Sequence, residues 1–148
     1  MEAEQSAGYL INHLARQFAI LLSERLKPLD LAPAQFPILL HLWKQDGLSQ
    51  HELVEKAELR QATIANTLAR MERDNLIVRV AHPNDARVRL IKLTEKSKTL
   101  EQAATEIAQT INQQALSVLD ENERQQFLLM MQKIIAQQKK MMGNHSER

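Results

Sequence analysis

One stretch, from Ser49 to Thr94, constrains the fold more than any other. It holds two short helical patterns with a sharp turn between them, then two β-rich runs closed by His82-Pro83-Asn84-Asp85. Ser49-Gln50-His51-Glu52 has the S-x-x-E form of a capping box, in which the serine hydroxyl accepts the backbone N–H three residues on and the glutamate reaches back. A helix is therefore expected from about Gln50, with Leu53, Val54 and Ala57 on its buried side and a break around Glu58-Leu59-Arg60. In the second pattern Ile64, Leu68 and Met71 recur at i, i+4 and i+7, which stacks them on one helix face. Asn75 closes it, and asparagine tolerates the left-handed conformation that ends many helices.

The opposite face of the second helix is expected to be polar, carrying Gln61, Thr63, Asn66, Thr67 and Arg70, with Ala62 among them. These side chains suit base edges. Arg can bind guanine O6 and N7 together, Asn and Gln can do the same for adenine, and Thr offers a hydroxyl or a methyl. Leu76-Ile77-Val78-Arg79-Val80-Ala81 and Arg87-Val88-Arg89-Leu90-Ile91-Lys92-Leu93 then read as a hairpin around the Pro/Asn/Asp cluster. Its register is ambiguous, since the adjacent Leu90 and Ile91 break the alternation. Asp85 stands two residues before Arg87, close enough to orient the guanidinium without cancelling its charge, and an Arg held on a protruding loop suits a narrow, negative minor groove. Together these elements describe a winged helix-turn-helix, with Arg89 near the base of the wing either a further DNA contact, to phosphate, or simply solvated.

The succession Leu68-Ala69-Arg70-Met71-Glu72-Arg73-Asp74-Asn75-Leu76-Ile77-Val78-Arg79, the Asp85-Ala86-Arg87 tip and Leu93-Thr94-Glu95-Lys96 resemble the MarR (multiple antibiotic resistance regulator) family of bacterial transcription factors. Asp85 and Arg87 match the D-x-R motif of that family's wing, while Asn75 and Ser97 stand where glycines are common. The resemblance implies a mainly α fold with a small β-wing, in which N- and C-terminal dimerisation helices flank the reading head. It also implies a homodimer on pseudo-palindromic double-stranded DNA. A small anionic or aromatic effector would bind between the dimer helices and the reading head, where His13, Arg16, His41 and Trp43 have suitable chemistry; Trp43 also reads as a core residue.

The rest of the chain is expected to follow that plan as a single domain, 1–148, with the winged region at 33–94 and dimerisation helices at 8–27 and 94–142. Leu10, Leu14, Phe18, Leu21/Leu22 and Leu26 make a helical stripe that Ile11, Ala15 and Ala19 widen, and the helix should stop before Lys27-Pro28. Pro33 is expected to open the next helix, with Phe36, Leu39, Leu40, Leu42 and Trp43 inward, and Pro37 to lose a bond or bend it just past its first turn. Asp46-Gly47 closes that helix. Thr94 reads as the N-cap of a long helix ending near Leu119, and Asp120 as the cap of a last one. The tail Gly143-Asn144-His145-Ser146-Glu147-Arg148 is expected to be disordered.

Charge sharpens the functional reading. The net formal charge is only +1, yet residues 60–92 hold seven Lys and Arg against three acids, a surplus of four confined to the proposed reading head. Zero cysteines exclude disulfides and thiolate metal sites. Three glycines leave no phosphate-cradling loop, and five scattered histidines lack metal-ligand spacing, so neither an enzyme, a cofactor nor a bound metal is expected. No apolar run approaches the roughly 18 residues that span a membrane, and the acidic start Met1-Glu2-Ala3-Glu4 is unlike a signal peptide, which fits the cytoplasm. The expected function is a dimeric sequence-specific regulator, in the sense of a repressor. A helical interaction module using the same fold without DNA, or a non-specific duplex binder, stays open.

Overall fold

The computed structural model describes residues 1–146, and the chain divides into two compact units, one running to Ile111 and the other beginning at Asn112. In the first unit the helices are α1 (Ala7–Leu26), α2 (Phe36–Lys44), α3 (Gln50–Ala57) and α4 (Gln61–Arg73), joined by a three-stranded antiparallel sheet of β1 (Leu48–Ser49), β2 (Ile77–His82) and β3 (Asp85–Leu93). The long α5 (Glu95–Ala115) leads from this unit into the second, where α6 (Glu121–Ser146) follows. Among the described residues no helix is long and apolar enough to cross a membrane.

Local chemistry explains most boundaries. The Ser49 hydroxyl accepts the Glu52 N–H at 3.1 Å and the Glu52 carboxylate accepts the Ser49 N–H at 3.1 Å, so the capping box starts α3 where it was expected. Glu58 at φ 55° ends α3 and Asn75 at φ 59° follows α4, both in the left-handed region. The Thr94 hydroxyl accepts the Ser97 N–H and opens α5, while Asp120 and Glu123 form a second reciprocal cap at α6. Each of these motifs satisfies N–H groups that a helix start would otherwise leave unpaired.

Two expectations about the helices change. Pro33 opens a 3-10 turn, Pro33–Gln35, and α2 proper begins only at Phe36. Pro37 consequently falls within the first turn of α2, where a missing N–H costs least, and not beyond it. At the other end α6 remains helical to Ser146, although a disordered tail was expected from Gly143; Glu147 and Arg148 lie outside the described residues. Gln, Lys and Met are good helix formers, and one glycine is not enough to end such a run.

The core of the first unit joins Leu26, Leu31 and the inner faces of α2, α3 and α4 to Ile77, Ile91, Leu93 and Ala104. Ile64, Leu68 and Met71 are fully buried in it, as their spacing required. The register is also settled here: Ile91 pairs with both Leu48 and Arg79 and is buried, while its neighbour Leu90 stays half-exposed. By contrast α1 exposes Tyr9, Leu10, Ile11, Leu14, Ile20 and Leu21 and buries only Leu26. In the second unit α6 exposes Leu128, Leu129, Met130, Ile134, Ile135, Met141 and Met142.

Candidate nucleic-acid interface

α4 can present side chains because its inner stripe anchors it. Its outward face holds Gln61, Ala62, Thr63, Asn66 and Arg70, all exposed. Thr67, expected on the same face, is only 8% exposed, and its hydroxyl donates to the Thr63 carbonyl at 2.8 Å. The reason is helical geometry: Thr67 stands three residues after Ile64 and four before Met71, which puts it on the buried stripe. Its hydroxyl is spent on the helix's own backbone and is withdrawn from the reading set.

The wing projects Arg87 by a register slip. Ala81 pairs with Arg89 and His82 with Asp85, so Ala86, Arg87 and Val88 have no opposite number and bulge out of the ladder. Asp85 Oδ1 accepts the Arg87 backbone N–H at 3.0 Å and lies 3.4 Å from its Nε, while the Arg87 side chain is 93% exposed. That arrangement points a charged fork outward and leaves its terminal nitrogens available. On the other side of the turn His82 Nδ1 accepts the Asn84 N–H at 3.0 Å, which holds the tip in shape.

The basic residues divide into two groups. Arg79 donates to Gln50 Oε1 at 3.3 Å and lies 3.7 Å from Glu72, so it ties β2 to α3 and α4 and is mostly covered. Arg73 lies 3.4 Å from Asp74 but stays exposed. Arg60, Arg70 and Arg89 are exposed and make no ion pair among the described residues, which leaves their charge to the solvent side. Arg60 was not singled out in the sequence beyond its contribution to the charge surplus. Its place at the N-cap of α4 marks it, since the first turn of that helix holds no acid and gets no side-chain cap.

Of the residues expected to hold a small molecule, His13 and Arg16 stand on α1 and His41 and Trp43 on α2. His41 lines a surface concavity with Lys44, Gln45 and Lys56. Trp43 packs edge-to-face on Phe36 at 6.0 Å and donates its ring N–H to the Ser97 carbonyl at 3.0 Å, so it serves the core. His13 stacks edge-on against Tyr9 along exposed α1, and Arg16 is exposed on the same helix.

Comparison with known proteins places this geometry. Residues 31–89 match the model of the MarR family. The transcriptional regulator HosA of Escherichia coli O111:H- is 30% identical over 106 residues, which span 72% of this chain and 78% of that protein. The fold superimposes on MepR of S. aureus, solved in complex with DNA, with a TM-score of 0.83, 27% identity and coverage of 89% of this chain and 98% of that one. A mutant MarR from E.coli, solved with operator DNA, gives 0.80 at 25% identity, covering 86% and 91%. These relatives are regulators, not enzymes, and the chain described here belongs to the MarR family of transcriptional regulators.

Proposed function

We propose that the chain is a homodimeric, sequence-specific DNA-binding regulator working in the cytoplasm as a repressor. It would sit on a pseudo-palindromic operator and leave it when a small anionic or aromatic ligand binds. One observation carries this reading: a polar, exposed face on α4 and an outward-held Arg87 occur in the same unit as the exposed Arg60, Arg70 and Arg89, which make no ion pair among the described residues. In such a reader Asn66 and Arg70 of α4 address base edges in the major groove with Gln61, Ala62 and Thr63, Arg87 enters the minor groove, and Arg89 meets phosphate. The relatives solved on DNA support the assignment.

The dimer rests on apolar surface. α1 in the first unit and α6 in the second each expose six or more large apolar side chains, more than an isolated chain keeps in water without a partner surface. A two-fold pair that buries both helices would set two copies of α4 about one duplex turn, roughly 10 bp, apart. The helices at 8–27 and 94–142 thus serve dimerisation and the region 33–94 serves DNA. Arg16, His13 and His41 supply the cation and ring chemistry for an effector. Calorimetric titration with aromatic acids tests that part, and a flat trace for all of them counts against it.

Fluorescence anisotropy decides the main claim. A promoter fragment carrying an inverted repeat should bind at least about a thousandfold more tightly than a scrambled duplex of equal length. Equal affinity for the two would leave a non-specific binder, and no affinity for either would leave an interaction module. Arg87→Ala should weaken binding to both duplexes and lower the salt slope by about 2, since each subunit then neutralises one phosphate fewer at roughly 0.9 apiece. Asn66→Ala should instead change the selected bases; an unaltered selection motif removes it from the reading set.

A further inference from the structure

The reading helix is held at its far end by a buried amide. Gln35, only 4% exposed, closes the 3-10 turn before α2. Its Oε1 accepts the Ala32 N–H at 3.0 Å, and its Nε2 donates to Asp74 Oδ2 at 3.1 Å. Asp74 is the residue that caps the C-terminus of α4, where its own N–H donates to the Arg70 carbonyl at 2.9 Å. Lys96 at the start of α5 donates to the Asp74 carbonyl at 3.2 Å, and the Thr94 hydroxyl donates to the Asn75 carbonyl at 2.7 Å. The end of α4 is therefore pinned from the 3-10 turn before α2 on one side and from Thr94 and the start of α5 on the other.

We propose that Gln35 is a positioning residue for sequence discrimination: through Asp74 it sets the tilt of α4, and with it the height at which Gln61, Thr63 and Asn66 meet the bases. This rests on α4 being the DNA-reading helix. The lever is long. Gln61 lies twelve residues from Arg73, roughly 18 Å along the axis, so a tilt of about 3° at the pinned end moves the reading end by about 1 Å. A displacement of about 1 Å takes a hydrogen bond from about 2.9 Å to beyond its working range, while a phosphate contact in high dielectric weakens little over that distance. Tilt thus changes base discrimination and spares general affinity. The polarity of the contact is also specified, because Gln35 presents its acceptor to Ala32 and its donor to the carboxylate.

A charge exchange across the pair tests this. Gln35→Glu sets two carboxylates against each other at the 3.1 Å contact, whereas Gln35→Glu combined with Asp74→Asn restores one donor and one acceptor with the direction reversed. The anisotropy ratio between the inverted-repeat and scrambled duplexes should fall about tenfold for Gln35→Glu at pH 8 and return to within about twofold of wild type in the double variant. Scrambled-duplex affinity should stay level throughout. Lowering the pH should restore the single variant, since a protonated carboxyl can donate. An unchanged ratio in Gln35→Glu, no recovery in the double variant, or a parallel loss on both duplexes would overturn the proposal.

Amide exchange at Asp74, Asn75 and Leu76 gives a reading without DNA. Faster exchange in Gln35→Glu and recovery in the double variant are expected. Should the single variant fail to fold while the double variant folds and discriminates normally, the pairing stands; if both fail, it does not. A wild-type protein that shows no discrimination removes α4 as a reader, and the exchange data then report whether Gln35 positions the helix end in its own right.

Discussion

Asp46 offers a quantitative test of how the wing is attached. Its Oδ1 accepts two backbone donors, the Gly47 N–H at 2.9 Å and the Leu93 N–H at 2.8 Å, and so fastens the end of β3 to the turn that follows α2. Gly47 N–H has a second acceptor in the Ile91 carbonyl at 3.0 Å, so Asp46→Ala strips an acceptor mainly from Leu93. A backbone N–H bonded to a charged group contributes about 1.5–3 kcal/mol. With the Gly47 share small, the expected loss is about 2 kcal/mol. Asp46→Asn retains a neutral oxygen in the same place and should cost about half as much, because charge-assisted bonds are roughly twice as strong as neutral ones. Urea unfolding at fixed protein concentration measures both, and fixing the concentration keeps any dimer contribution constant. A chain of this size should also melt roughly 4–8 °C lower with Asp46→Ala. Exchange of the Leu93 amide should quicken before that of Ile64 or Leu68 in the core. The reasoning is refuted if Asp46→Ala stays within about 0.5 kcal/mol of wild type, or if Asn is as damaging as Ala.

Two further outcomes follow from the helix ends. Asn75 sits at φ 59°, where a Cβ costs roughly 1 kcal/mol that asparagine partly escapes. The urea midpoint should therefore rank Asn75→Gly at or above wild type and Asn75→Ala below it, and an Ala variant as stable as wild type would refute the strain. The Glu52 carboxyl is held below its ordinary range first by the Ser49 backbone N–H, then by the Ser49 hydroxyl. A lowered folded pKa contributes stability that is complete above the unfolded pKa, about 4.3, and is lost as pH falls through the folded value. Wild type should thus lead Glu52→Gln at pH 6 and converge with it in acid, as urea midpoints at several pH values would show; a gap independent of pH would contradict this.

How much could be read before folding depended on the range of the interaction. The capping box at Ser49, the left-handed Asn75, the stripe Ile64/Leu68/Met71 and the Asp85–Arg87 contact all join residues at most seven apart, and all appear in place. Thr67 shows that even a local pattern can be misjudged: its polarity suggested water, while its spacing put it inside. The two-residue β1 was missed because Leu48 and Ser49 make a strand only by pairing with Ile91 and Leu90, more than forty residues away. Trp43 could be read as ligand chemistry or as core until its ring N–H met the Ser97 carbonyl, fifty-four residues away.

By itself the chain of residues determined where α3 begins, where α4 ends, that Ile64, Leu68 and Met71 form its inner stripe, and which arginine stands at the tip of the hairpin. Those outcomes follow from backbone geometry and from hydrogen bonds spanning a few residues. Tertiary structure alone decided the slip that leaves Ala86 to Val88 without partners, the fastening of Leu93 by Asp46, and the grip of Gln35 on Asp74. Each depends on bringing together groups far apart along the chain, or on a strand register that only packing against the core can select.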